Sequence, residues 1–321
     1  MSDAAPLGEI VRRQIEQTGP MTLHDYMALC LSHPEHGYYA TRDPLGRAGD
    51  FTTAPEVSQM FGELLGLSLA QAWVDQGRPA PFRLIELGPG RGTLTADLLR
   101  AAAAAPGFVE AADLWLVETS PALRAEQAKR LGRRPRWVDR LSDAPAGPTF
   151  LIANEFFDAL PIRQFVMAGG MWRERVVGLD GDRLVYGLKT APRPFGPAPE
   201  GAVREVCPLL ANIGTEIAAR IAVRGGAAIV VDYGYTEPTA AGAGTFQAVS
   251  DHAYADPLAA PGEADLTAHV DFSALARAAR MGGAAAAGPV EQGALLAALG
   301  IGARAEALTR AANSPSGAAS V

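Results

Sequence analysis

Only two cysteines occur in the 321 residues, Cys30 and Cys207, far apart and in no C-x-x-C pair. That excludes a thioredoxin-type redox motif and a cysteine zinc site, and reduced thiols in a cytosolic setting are the simple expectation. Lysine is almost absent: Lys129 and Lys189 stand against 26 arginines. No polybasic run occurs, the net charge is −7 and the pI is about 5.3. Such a chain is not built to neutralise phosphates, so no nucleic-acid partner is expected. No stretch approaches the ~20 apolar residues of a membrane span. Met1 to Ile10 carries Asp3 and Glu9 and no apolar run. It resembles neither a secretory signal nor a mitochondrial presequence, and the expected location is the bacterial cytoplasm. Neither a Ser-His-Asp pattern nor G-x-S-x-G is found.

What is present is ordinary for a globular chain. Hydrophobic residues make up 48% and charged residues 20%, which excludes disorder. The length suffices for a core without staples and suggests about two domains. Residues 7–32 read as helix broken at Gly19-Pro20, with Thr22 capping the second piece and Asp25 at its third position. Residues 33–56 are rich in turn formers and read as an ordered loop or lid. Helix returns over 57–76. Strand and helix then alternate: strand 83–87, helix 93–105, strand 114–117, helix 121–131, strand 136–138, strand 149–153. That spacing predicts an α/β fold with a doubly wound, mostly parallel sheet. Residues 165–189 interrupt it as a β-hairpin insertion turning at Asp180-Gly181-Asp182. Further expectations are a long helix over 203–223, a strand over 227–231, a helix over 272–279, a strand over 284–287, short helices over 294–299 and 303–310, and a frayed tail over 313–321.

The most informative segment is Leu84-Ile85-Glu86-Leu87-Gly88-Pro89-Gly90-Arg91-Gly92-Thr93. It reads as strand, glycine turn, helix. Glycines let the backbone approach a ligand and leave helix N–H groups free to bond it. The spacing G-x-G-x-G is neither the dinucleotide fingerprint nor a P-loop. Glu86 stands two residues before Gly88, where a carboxylate would repel pyrophosphate but suit an ammonium or sulfonium. Glu118 ends the second strand, where an acid accepts both ribose hydroxyls. Glu86, Gly88, Gly90, Gly92 and Glu118 therefore describe a site for S-adenosylmethionine, cationic and free of phosphate. The bland alternative is a tight turn at 88–92 with Glu118 as a helix cap.

Asn154-Glu155-Phe156-Phe157-Asp158 leaves the fourth strand, where open sheets form their crevice. Asn154, Glu155 and Asp158 are candidate catalytic residues, since carboxylates hold a guanidinium or amine and aromatics stack on it. The alternative is that the phenylalanines are core and the polar residues form turns; one of the two is expected to be core. Asp50 and Thr53, in the segment 49–56, are candidate cofactor contacts on a lid, although Thr53 and Glu56 also read as a capping box. Asp232-Tyr233-Gly234-Tyr235 ends a strand and borders the same crevice or forms an Asx turn. His33 and His36 lack an evident third ligand, so no metal is expected.

The glycine loop, the block Asn154–Pro161, the segment Gly49–Glu63, the segment 226–235 and the segment 262–272 resemble the MidA family. The resemblance spans about residues 6–310. It implies a class I S-adenosylmethionine-dependent methyltransferase with a Rossmann-like core over 81–312, an N-terminal helical cap and lid over 1–80, and an insertion at about 165–200. It implies arginine dimethylation, which in mitochondrial members serves respiratory complex I assembly, with a NADH dehydrogenase subunit as the protein substrate. It places Glu86, Gly88, Gly90, Gly92 and Glu118 on the cofactor and Asn154, Glu155 and Asp158 on the acceptor edge. Family members close with a strand of the type Met-Gly-x-Leu-Phe-Lys, which this sequence does not show; its absence would expose a neighbouring strand edge. A weakly active assembly chaperone that binds S-adenosylmethionine and a small-molecule methyltransferase are the competing readings.

Overall fold

The computed structural model describes residues 6–41, 53–132, 135–191, 195–237, 244–250 and 252–312. Along the chain, α1 (Pro6–Thr18) and α2 (Leu23–Ser32) are followed by α3 (Gln59–Asp75). Then come β1 (Phe82–Leu87), α4 (Thr93–Ala102), β2 (Ala112–Val117), α5 (Pro121–Leu131), β3 (Arg136–Val138) and β4 (Thr149–Asn154). Three antiparallel strands follow, β5 (Arg163–Ala168), β6 (Met171–Asp180) and β7 (Arg183–Thr190), and then β8 (Val203–Val206), α6 (Pro208–Arg224) and β9 (Gly226–Val231). The last elements are β10 (Gln247–Ser250), β11 (Ala253–Ala255), β12 (Asp265–Thr267), α7 (Phe272–Met281), α8 (Gln292–Ala298) and α9 (Ile301–Ala312).

The chain divides into two compact units. One comprises Thr53–Asn154, Ala219–Val231 and Gly283–Val321. Its sheet has the order β9-β4-β1-β2-β3, and every pairing is parallel. β1 lies between β2 and β4, so successive crossovers leave it in opposite directions, and its carboxyl end is the topological switch point where open sheets bind ligands. Phe82, Leu84, Leu114, Leu116, Phe150 and Ile152 form the sheet's part of the core. Against them packs α3, whose Gly62 and Gly66 admit the backbone of α4 closely: a Cβ on Gly66 would lie 2.7 Å from the Leu98 Cα.

The other unit comprises Met1–Thr52, Glu155–Ala218 and Asp232–Gly282. Here β8-β5-β6-β7 pair antiparallel, and Met21–Thr22 adds to β6. β10 joins β11 and β12 in a second antiparallel sheet. Leu7, Val11, Leu23, Tyr26, Met27 and Leu31 form the helical part of its core.

Most expected elements are present within a few residues. Thr22 accepts the Asp25 N–H at 3.1 Å as the cap of α2, and Gly181 takes φ +59° in the two-residue turn of the β6–β7 hairpin. Three expectations are corrected. Residues 203–206 are strand, and the helix begins at Pro208, because proline suits a first turn but cannot continue one already formed. Residues 284–287 are not a strand: four alanines offer no branched surface to a sheet, and Gly283 and Gly288-Pro289 bound them. Thr53 occupies the cap position of the helix Ala54–Val57, but its side chain makes no capping bond; Glu56 accepts the Thr93 hydroxyl instead. The tail 313–321 lies outside the described residues, and the family's closing strand is not among those described. No helix of the described residues is long and apolar enough to cross a membrane.

Candidate active site

The glycine loop leaves β1 and enters α4. Gly88, Gly90 and Gly92 take φ of +60°, +52° and +78°, a region L side chains rarely adopt, so the loop's path depends on them. Gly92 caps α4, and Gly88 N–H donates to the Val117 carbonyl of β2 at 3.1 Å. Glu86, 3% exposed, accepts the hydroxyl of Thr95 on α4, tying the strand to the helix that follows it. Burial pushes its carboxyl up to about 7.

Glu118 directly follows β2. Its Oε1 accepts the Ser120 N–H at 2.8 Å and its Oε2 faces the Gln127 amide at 3.3 Å. Burial raises its pKa, and those two contacts oppose the shift. An ionised carboxylate has about four acceptor positions, so its bonds to Ser120, Thr119 and Gln127 leave capacity for a further hydroxyl donor.

A second constellation belongs to the other unit. Glu155 begins it, directly after the last residue of β4, and holds φ +48°, unusual outside glycine. Asp158 is 8% exposed. Desolvation raises its pKa well above the carboxylate range, and Asp232, Asp265 and Glu155 raise it further. Asp232, directly after β9, accepts the N–H groups of Phe157 and Asp158 at 3.0 and 3.2 Å through Oδ2, and that of Tyr233 at 2.9 Å through Oδ1. Burial pushes Asp232 up to about 7 despite those bonds. The Tyr39 hydroxyl donates to Asp265 at 3.3 Å. Asp158 Oδ1 is buried with no hydrogen-bond partner among the described residues. Four carboxylates thus crowd together, and a cation of suitable shape would relieve their repulsion.

The chain matches, over residues 64–290, the family described as "Putative S-adenosyl-L-methionine-dependent methyltransferase". It belongs to this methyltransferase family. It is 38% identical to the mitochondrial protein arginine methyltransferase NDUFAF7 of Homo sapiens, over 94% of this chain and 75% of that protein. The Xenopus laevis protein of the same name is 40% identical over the same shares. Among solved structures, a superfamily member from Burkholderia thailandensis, bound to S-adenosyl-homocysteine, is 31% identical with a TM-score of 0.81, covering 98% of this chain and 84% of that one.

The methyltransferase therefore uses S-adenosylmethionine, and the donor set around β1 fits that molecule. A loop closed by left-handed glycines and a carboxylate with spare acceptor capacity suit a nucleoside. Of the residues read from the sequence, Glu86, Gly88, Gly90, Gly92 and Glu118 lie in one unit with Thr53, and Glu155 and Asp158 in the other. Asn154 ends β4 and is half-buried. Asp50 lies outside the described residues. Phe157 is core, at 2% exposure, while Phe156 is half-buried and meets it edge to face. His33 uses Nδ1 to accept the N–H groups of Glu35 and His36. Sequence reasoning missed Tyr39, Asp265 and Gln127. Asp265 stood inside the segment 262–272 that carries the resemblance, but nothing local marks it as a partner of Asp158.

Proposed function

We propose that the enzyme methylates the guanidinium of arginine in a protein substrate. The observation that carries this reading is the carboxylate group of buried Asp158 and Asp265 with half-buried Glu155 and Asp232, a carboxylate oxygen of Asp158 being left without a partner among the described residues. A guanidinium is planar, cationic and rich in donors, and it matches carboxylate pairs better than an ammonium does. Bound S-adenosylmethionine supplies the electrophilic methyl. Asp158 and Glu155 orient the guanidinium and hold its charge away from the attacking nitrogen. A guanidinium pKa above ~12 makes proton loss before transfer costly, so the proton leaves as the nitrogen–carbon bond forms. Asp232, poised near neutrality, is suited to accept it. The names of the relatives, protein arginine methyltransferases, support the same acceptor. A subunit of the respiratory NADH dehydrogenase, implied by the family resemblance, is the first substrate to try, and we place the reaction in the cytoplasm.

Asp158→Asn tests the proposal. Transfer of labelled methyl to protein arginine should fall at least 100-fold, while the affinity for S-adenosyl-homocysteine stays within a factor of two. Undiminished transfer would remove Asp158 from the acceptor site.

A further inference from the structure

We propose that Gln127 is a positioning residue of the cofactor site, its side-chain amide fixing the glycine loop at Gly90 to the carboxylate of Glu118 before any ligand arrives. The inference rests on reading the 88–92 loop and Glu118 as the site of S-adenosylmethionine.

Gln127 is the one buried residue of α5, at 0% exposure. A helix that buries a single position ordinarily places an aliphatic side chain there, because an amide costs free energy to desolvate unless its groups are bonded. Here each end of the amide is used. Nε2 donates to the Gly90 carbonyl at 2.6 Å and reaches Glu118 Oε2 at 3.3 Å. Oε1 accepts the indole N–H of Trp137 on β3 at 2.7 Å. The chemistry of the partners fixes the orientation. An indole nitrogen can only donate, whereas a carbonyl and an ionised carboxylate can only accept, so the amide cannot be turned round without losing every bond. The third glycine of the loop lies against this side chain: a Cβ on Gly92 would be in ordinary contact with the Gln127 Cγ, at 3.4 Å, and it is the φ of +78° that selects glycine there. The amide thus sets the separation of two parts of the site that contact different parts of a nucleoside. Holding them apart correctly in advance removes an ordering cost from binding.

The test is the dissociation constant of S-adenosyl-homocysteine, measured by calorimetry, with melting temperatures recorded alongside. Q127M keeps the volume and removes the amide; it should weaken binding about tenfold or more. W137F leaves the amide free to turn and should weaken binding about threefold. In the double variant the loss should not exceed that of Q127M alone, because Trp137 acts through Gln127. Q127E supplies a fold-independent reading: its loss should shrink as pH is lowered, because the introduced carboxyl then regains a donor. Binding by Q127M within a factor of two of wild type would overturn the proposal, as would losses that multiply in the double variant. Should Q127M fail to fold, W137F at wild-type affinity or a pH-independent Q127E would overturn it. E118Q separates the two levels: if it binds normally, the reading of the cofactor site falls and the proposal with it. If E118Q is weakened and Q127M is not, the proposal alone falls.

Discussion

Asp232 accepts the backbone N–H of Asp158 at 3.2 Å, so two acidic residues from distant parts of the sequence are held together by the bond of one to the other's main chain. The carboxyl of Asp158 is itself buried and raised by Asp232, Asp265 and Glu155. The crowding of negative charge raises the proton affinity of these carboxyls, a strain that a cationic acceptor would relieve.

The pH dependence of acceptor binding follows from that arrangement. Without acceptor, Asp232 is pushed up to about 7 and Asp158 well above its ordinary value. Asp232 therefore takes up a proton as pH falls below about 7, and a guanidinium favours the ionised forms of both carboxyls. KM for an arginine-containing protein should therefore fall as pH rises through about 7. Asp232→Asn should flatten that dependence and leave the affinity for S-adenosyl-homocysteine unchanged. A profile with the same midpoint in the variant would assign the titration elsewhere.

Glu86 makes a separate prediction about stability. Its carboxyl rises from an ordinary 4.5 to about 7 on folding, through burial. The folded state then binds the proton more tightly than the unfolded chain. The stability this contributes is complete below about pH 4.5 and is lost as pH rises through about 7. Glu86→Gln, which keeps the shape and never ionises, should show a flatter urea midpoint between pH 5 and 8 and gain on wild type at the alkaline end. A constant difference across that range would refute the assignment.

The contact between α3 and α4 is tested by Gly66→Ala. The added Cβ would meet the Leu98 Cα at 2.7 Å and its carbonyl oxygen at 2.8 Å, both backbone atoms that cannot move aside singly. We expect a loss of about 1–3 kcal/mol, the usual range for overpacking a dense core, read from the denaturation midpoint. Unchanged stability would mean that the helices separate without cost.

How much of this was legible in the sequence depended on whether the determinant was local. The strand, glycine turn and helix from Leu84 to Thr93 declared themselves because left-handed turns select glycine. Pro121, suited to a first turn, marked the start of α5; the cap, Ser120, went unread. Met21–Thr22 escaped notice because two residues carry no period, and their pairing with β6 is set by tertiary contact. The helix expected over 203–223 begins only at Pro208, whose place as a first-turn residue went unread. Tyr39 and Asp265 are 226 positions apart and meet only in the fold. Gln127 carried no signal at all, since a glutamine on a helix is ordinarily solvated; only its burial sets it apart.

The central claim, methyl transfer to protein arginine, is tested most directly with the purified protein, methyl-labelled S-adenosylmethionine and an extract from cells lacking the gene. The labelled protein is hydrolysed and its amino acids separated. The account predicts label in methylated arginine, concentrated in one protein, and none with Asp158→Asn. Label confined to small molecules, or no transfer from an enzyme that binds S-adenosyl-homocysteine, would contradict it.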